Sequence, residues 1–350
     1  MADILSKLSE QLKSQKPFAV YAKPGSTTLI GVFQDDDSEN TVKDFSEAGF
    51  VFAPFQNGKI VHIPYKNSQV HVNDLEVKTV GISHLGLPPV NENAKADFEA
   101  LVIKSVAEIK KDNFQKLVTS RTEFVEARKS ITEIFSTLLQ LYPNAFRYCF
   151  YSPSTGLWMG ATPEQLLQTE GDTLKTVALA GTQVYDAEKE AVWGEKEKQE
   201  QQFVTDYIVS ILKNVTRNSN ISAPYTFRAG NIVHLKTDIS ASFGNTTLQN
   251  IIMALHPTPA VCGLPKYEAR DFIVHNEGYN REYYSGFLGE LNHDFKTGHP
   301  TTDLFVNLRS MKLWEGRAQL FIGCGITKDS DPEKEFFETV NKSMTMRRVL

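Results

Sequence analysis

This sequence predicts an α+β fold with largely antiparallel sheets, on three observations. Short apolar runs come in pairs around turn residues, as hairpins do. Helical stretches lie between those hairpins and do not alternate with single strands as βαβ units would. The chain has 350 residues, 41% of them hydrophobic, enough to bury a sizeable core without a disulfide or metal staple. That length allows two domains or one large one.

In chain order, Ile4, Leu5, Leu8 and Leu12 recur at helical spacing and predict a short amphipathic helix. Apolar runs at Leu29 to Phe33, Gly49 to Phe52 and Lys59 to Ile63 sit between turn signals. Leu85 to Asn93, with Pro88 and Pro89, reads as a connector, and a helix follows from Ala94 to about Lys110. Phe146 to Tyr151 and Leu157 to Gly160 flank a Ser-Pro-Ser-Thr-Gly turn. Leu166 to Gln168 and Leu174 to Leu179 flank Gly171-Asp172. Leu304 to Leu313 and Ala318 to Ile322 flank Glu315-Gly316. Each pair reads as a hairpin, which makes the sheets antiparallel. Helices are expected at about 123–142, 187–215 and 332–347.

Composition excludes several classes. A net charge of −5 argues against a nucleic-acid binder. No run of 18 apolar residues is present, as a membrane-spanning helix would need. The N-terminus lacks the apolar core of a secretory signal. Cys149, Cys262 and Cys324 form neither a disulfide framework nor a zinc pattern. A reducing cytoplasm is the expected setting.

Two helices carry the first chemistry. Val204, Tyr207, Ile208 and Ile211 form an apolar stripe, which Glu200 and then Glu197 extend towards the N-terminus. A buried carboxylate needs a cation, a metal or a proton; the charged Glu195, Lys196 and Lys198 also fit a solvated helix start. In the last helix, Asp331 suits the N-cap and Pro332 the first turn. Glu335, Glu338 and Lys342 share one face, nearly opposite Phe336, Val340 and Met344. Periodicity reads the Glu face as solvent-facing. If the two acidic faces met across a cleft, their oxygens would suit Mg²⁺, a hard cation.

Other residues are ambiguous by pattern. Gly323 and Gly325 would let backbone N–H groups approach an anion, or form a plain strand exit. Lys116, Val118 and Ser120 share a strand face. An inward Lys116 could be a general base, and an edge-strand lysine is the alternative. Glu164, after Pro163, sits in a turn that could fix a general acid or be mere surface. His256-Pro-Thr-Pro-Ala-Val261 reads as a rigid loop, and His234 as a core histidine. No Ser-His-Asp order, P-loop or complete dinucleotide fingerprint is present.

Eight ordered runs together resemble the chorismate-utilising enzymes: KLVTSR, GATPEQLL, ALAGTQ, EKEKQEQQFV, HLKTDISA, LHPTPAVCGLP, REYYSGFLGEL and FIGCGITKDSDPEKEFFETVNK. This family comprises isochorismate and salicylate synthases and the large subunits of anthranilate and aminodeoxychorismate synthases. The runs cover about residues 113–345. Residues 1–95 are expected to be a divergent part of the same fold, and 96–350 the chorismate-binding catalytic region. The resemblance implies two large antiparallel β-sheets in a sandwich, helices packed outside, and a cleft that needs Mg²⁺.

It also implies roles. Lys116 matches the lysine that activates water, where anthranilate synthases usually have glutamine. Ala180 stands where aminodeoxychorismate synthases carry a nucleophilic lysine. Both point to water and away from ammonia. Lys116 would deprotonate a water that attacks C2 of chorismate, and Glu164 would protonate the departing C4 hydroxyl. Mg²⁺ would be held by Glu200 and Glu335, with Glu197 and Glu338 less direct. Leu179, Gly181, Thr182, His234, Arg309, Gly323, Cys324, Gly325 and Lys342 match substrate-pocket positions. Gln201 and Gln183 depart from the histidine and arginine of many members. The resemblance implies chorismate as partner, no glutaminase subunit, no nucleic acid or membrane, and a cytoplasmic monomer in menaquinone or siderophore biosynthesis. A salicylate synthase and a catalytically inactive chorismate-binding homologue are the rival readings. The chain's length leans against the first, and the presence of Lys116, Glu164, Glu200 and Glu335 against the second.

Overall fold

The expected hairpins assemble into two facing sheets. A computed structural model describes residues 1–56, 58–76, 86–187, 189–229, 232–244 and 246–350; Leu85, where the expected connector begins, lies outside them. In neighbour order, the first sheet is Gly263–Leu264, Lys116–Glu126, Arg317–Ile326, Ser310–Trp314, Gly156–Thr162, Phe146–Ser152, Phe18–Ala22, Thr28–Gln34 and Ser68–Asp74. The second is Thr216–Ile221, Ile232–Phe243, Thr173–Val184, Gln165–Glu170, Thr301–Val306, Phe287–Leu291, Gly49–Ala53 and Val61–Pro64, with Tyr225–Ala229 also paired to Ile232–Phe243. Every strand pairing among the described residues is antiparallel. The turns at Gly171 and Gly316 have φ of +55° and +76°, a left-handed backbone that glycine adopts freely.

The helices among the described residues are α1 (Ala2–Lys13), α2 (Glu92–Lys110), α3 (Ile131–Leu141), α4 (Glu195–Val215), α5 (Leu248–Leu255), α6 (Lys266–Asn276) and α7 (Pro332–Arg347). None is long and apolar enough to cross a membrane. Between the sheets lies an aromatic layer that includes Tyr21, Phe50, Phe52, Phe146, Phe150, Trp158, Phe305 and Phe321. α1 and α3 cover the outer face of the first sheet, and α4 and α5 that of the second. The central strands are therefore buried on both faces, and Phe18–Ala22 and Gly49–Ala53 read as unbroken apolar runs without alternation. Strands from the first 76 residues join both sheets.

Three expectations on element bounds need correction. Residues 123–126 finish the strand Lys116–Glu126, and α3 starts only at Ile131. A capping box sets that start: Ser130 accepts from the Glu133 N–H, and Glu133 reaches back to the Ser130 N–H. α4 begins at Glu195 and not near 187. Leu304 to Leu313 is two strands in different sheets, Thr301–Val306 and Ser310–Trp314. The crossing residue Arg309 takes a left-handed φ of 48°.

The Phe52 ring centroid lies 4.5 Å from Phe150, 4.4 Å from Tyr283 and 5.9 Å from Trp158. Phe52→Ala should lower the unfolding free energy by about 3–5 kcal/mol in urea denaturation. A loss below about 1 kcal/mol would contradict a packed inter-sheet layer.

Candidate active site

A lysine at the start of the strand next to one edge of the first sheet organises the site. Lys116 is fully buried on Lys116–Glu126, and its Nζ lies 2.9 Å from Glu200 Oε1 on α4. Glu200 is there because α4 continues its apolar stripe: Val204, Ile208 and Leu212 are buried against the second sheet, and Glu200 extends their row. Gly325 stands opposite Val118 on the neighbouring strand. A Cβ at Gly325 would lie 2.2 Å from Glu200 Oε1 and 3.1 Å from Lys116 Cε. The missing side chain thus makes room for an ion pair; a steric need explains this glycine without invoking an anion. Gly323 is similarly confined, with Thr119 O and the Tyr284 hydroxyl each 2.9 Å from a Cβ placed there.

Beside this pair is a small cavity of about 60 Å³. Ten of the expected site residues line it: Glu164, Leu179, Gly181, Glu200, His234, Arg309, Gly323, Cys324, Gly325 and Lys342. They come from both sheets and from α4 and α7. Lys116 sits behind the lining, against Glu200 and Gly325. The side chain of Thr182 lies outside the described residues. Pattern reading gave no role to Val118, Thr258, Val261 or Tyr284, which belong to the same region. Thr258 and Tyr284 fall in the HPTPAV and REYYSG runs, which were the available signal.

Burial sets the protonation states. Glu164 is buried and not on a surface turn, and its carboxyl accepts from Thr258 Oγ1 at 3.3 Å. Desolvation pushes it up to about 7, although Lys116, Thr258 and Arg309 each pull it down. Burial pushes His234 down to about 3, so the ring is neutral, with Nδ1 2.9 Å from Gly181 O. Arg309 forms no ion pair or side-chain hydrogen bond among the described residues and faces the cavity. Lys342 pairs with Glu338 at 2.6 Å and donates to Gly323 O at 3.1 Å. Burial opposes its charge, but Glu338 tips the balance and raises its pKa.

The acidic face of α7 overturns the solvent-facing expectation. Glu335 is buried, as are Phe336, Val340 and Met344 opposite. α7 is covered on one side by α2 and lies on the end of the first sheet on another. Amphipathic periodicity fails for a helix buried nearly all round.

Sequence and fold comparisons bear on this arrangement. A family model described as "Chorismate binding enzyme" matches residues 65–350. The chain belongs to this chorismate-binding enzyme family. It is 32% identical over 271 residues to "Salicylate biosynthesis isochorismate synthase" of Pseudomonas aeruginosa, covering 73% of this chain and 55% of that protein. It is 32% identical over 213 residues to "Isochorismate synthase MenF" of Escherichia coli, covering 58% and 48%. The chain spans about half the length of these curated relatives. The solved structure of DhbC from Bacillus anthracis matches with a TM-score of 0.80 at 21% identity, covering 99% of each chain. That likeness shows a shared fold, the expected sandwich of two antiparallel sheets.

For a chorismate-binding enzyme, the four acidic positions fall into two kinds. Glu200 faces the cavity and Glu335 is buried on α7. Glu197 packs its Cβ over Gly181, and Glu338 is engaged by Lys342. Among the described residues no three His, Cys, Asp or Glu side chains could hold a metal by themselves. Mg²⁺ usually takes only one or two carboxylates and completes its shell with water and substrate. Glu200 and Glu335 fit that donor chemistry. The two departures from the family pattern are absorbed locally. Gln201 is buried and donates to Thr205 Oγ1 and Thr237 Oγ1 at 2.8 and 2.7 Å, and Gln183 donates to Val192 O at 2.8 Å.

Gly325→Ala should cost about 1–3 kcal/mol of stability, because its methyl collides with the Lys116–Glu200 pair. An unchanged urea midpoint would contradict the close packing of that pair.

Proposed function

We propose that the protein is an isochorismate synthase, converting chorismate to isochorismate by adding water at C2 and expelling the C4 hydroxyl. The observation that carries this reading is Glu164: a buried carboxyl, pushed up to about 7, on a cavity backed by a buried lysine. An acid with a pKa near the working pH combines a large protonated fraction with a useful driving force. The relatives named isochorismate synthase support the same reading.

In this proposal Lys116, uncharged at this step and no longer paired with Glu200, takes a proton from water as the oxygen–C2 bond forms. The ring double bonds shift and the C4–oxygen bond breaks. Glu164 protonates the departing hydroxyl, which leaves as water. Arg309, which forms no ion pair among the described residues, and Lys342 supply positive charge for the substrate's carboxylates. Leu179, Gly181, His234 and the Gly323–Cys324–Gly325 backbone shape the pocket. Mg²⁺, held by Glu200 and Glu335 with Glu197 and Glu338 in support, would neutralise a ring carboxylate. Residues 96–350 are the catalytic region. The enzyme works in the cytoplasm as a monomer without a glutaminase subunit, and serves menaquinone or siderophore biosynthesis.

Incubation with chorismate and Mg²⁺, against an EDTA control, tests the proposal by separation of products. Isochorismate alone is expected. Salicylate with pyruvate would show a salicylate synthase, and bound but unconverted chorismate an inactive homologue.

Glu164 must be protonated to act, so kcat/KM should fall as pH rises through about 7. Glu164→Gln should abolish turnover yet leave chorismate binding. Stability follows the same direction. The folded pKa of Glu164 exceeds its unfolded value of 4.5, so its contribution is fully present below 4.5 and lost as pH rises through about 7. At pH 8 the Gln variant should therefore melt no lower than wild type. A lower melting temperature together with retained turnover would remove Glu164 from its role.

A further inference from the structure

Beyond their backbone bonds, the strand of Lys116 and the loop of Thr258 are joined by a buried ion pair that the chemistry above does not use. Glu277 stands at the C-terminal end of α6, and Arg281 follows four residues later. Their side chains are each 1% exposed and meet at 2.5 Å, with a second bond from Arg281 Nε to Glu277 Oε2 at 2.8 Å. A buried pair of this kind is often no more stabilising than apolar residues of the same volume. Its hydrogen bonds show what else it does.

Gly263–Leu264 pairs with the strand of Lys116 for two residues only, Leu264 opposite Lys116 and Gly263 opposite Leu117. One further bond runs from Val118 N–H to Cys262 O at 2.8 Å. Beyond it the 256–262 loop turns back on itself, since the Val261 N–H donates to Thr258 O. The ladder goes no further there, because the Val261 and Cys262 N–H groups both turn to Thr258 O. Arg281 takes its place: Nη2 donates to Val118 O at 2.7 Å, and Nη1 to Val261 O at 2.8 Å. The rigid guanidinium fork bridges two carbonyls, one on the strand and one on the neighbouring loop, which a lysine ammonium cannot do in the same plane. Glu277 holds the strand as well, accepting from the Ser120 N–H at 2.7 Å and the Ser120 hydroxyl at 2.8 Å.

These contacts lead directly to the reacting groups. Val118 and Val261 both line the cavity. Lys116 is two residues before Val118 on the same strand face. Thr258, which donates to Glu164, is three residues before Val261. We infer that Arg281, held by Glu277, is a positioning residue: it sets the separation between the strand bearing Lys116 and the loop whose Thr258 orients Glu164. This rests on the proposed roles of Lys116 and Glu164.

Arg281→Lys keeps the charge and loses the fork, so the walls part while the pair with Glu277 survives. A second variant, Glu277→Leu with Arg281→Met, removes both charges together and leaves no lone buried ion should the first fail to fold. In either folded variant kcat should drop about 100-fold, the scale expected for a misplacement of about 1 Å at reacting groups. KM for chorismate should stay within about threefold, since Arg309 and Lys342 lie on elements Arg281 does not bond. The decisive readout is the titration of Glu164 itself, followed by ¹³C NMR of labelled glutamate, with Glu164→Gln as the assignment control. Lys116 and Thr258 both pull this carboxyl down. Parting the walls weakens that pull and also relieves the burial that is the larger cause of the shift, so the midpoint should move from its wild-type position and carry the alkaline limb of kcat/KM with it.

A merely structural pair would lower the folded fraction and move neither. An unshifted Glu164 midpoint with unchanged kcat per folded molecule would overturn the inference. The NMR titration needs no turnover. If wild type fails to convert chorismate, the proposed function falls, and the midpoint still decides whether Arg281 positions the walls.

Discussion

A lysine ammonium buried in a protein is costly unless a carboxylate meets it with good geometry. At Lys116 that requirement joins three parts of the chain. The strand beginning at Lys116 supplies the cation, α4 supplies Glu200, and the strand ending at Ile326 supplies the space by placing glycine at 325. α4 is packed on the second sheet through Val204, Ile208 and Leu212, while Lys116 and Gly325 belong to the first. The ion pair is therefore also a bridge between the two halves of the sandwich, and the cavity opens where they meet. Were Glu200 to turn to Mg²⁺, Lys116 would lose its counter-charge and serve, uncharged, as the base of the proposed chemistry. One contact thus serves both the architecture and the proposed chemistry.

The rest of the cavity balances that pair. Glu164 is kept near neutrality by desolvation, and His234 is kept uncharged by the same cause. Arg309 and Lys342 bring cations to the far wall. The break in the chain at Arg309 has a function in this layout. A continuous hairpin strand would hold the arginine in one sheet, whereas the crossing from Thr301–Val306 to Ser310–Trp314 sets it between the two. A left-handed non-glycine residue at such a point is the kind of local strain that clusters at functional sites.

Local signals in the sequence reached some of this and not the rest. Turn residues and paired apolar runs located the hairpins, because a tight turn is a property of a few adjacent residues. The crossing at 307–309 was illegible, since Leu304 to Leu313 reads as one apolar stretch and only partner strands divide it. Glu335 read as solvent-facing because a helical period assumes one dry face, and α7 has cover on most sides. Glu164 read as a surface turn for the same reason: its burial is made by segments far away in sequence. The cavity's membership came from eight ordered motifs taken together. The bridging Arg281 left no trace beyond its place in one of them, because its partners are backbone carbonyls, which no residue identity marks.

The central claim is that water is added across this cavity by Lys116 and that Glu164 releases the C4 hydroxyl. Conversion of chorismate in H₂¹⁸O with mass analysis of the product tests it most directly. The account predicts isochorismate carrying one ¹⁸O, located at C2. Product with unlabelled oxygen at C2 would mean that the hydroxyl migrates without exchange, and would contradict an activated water.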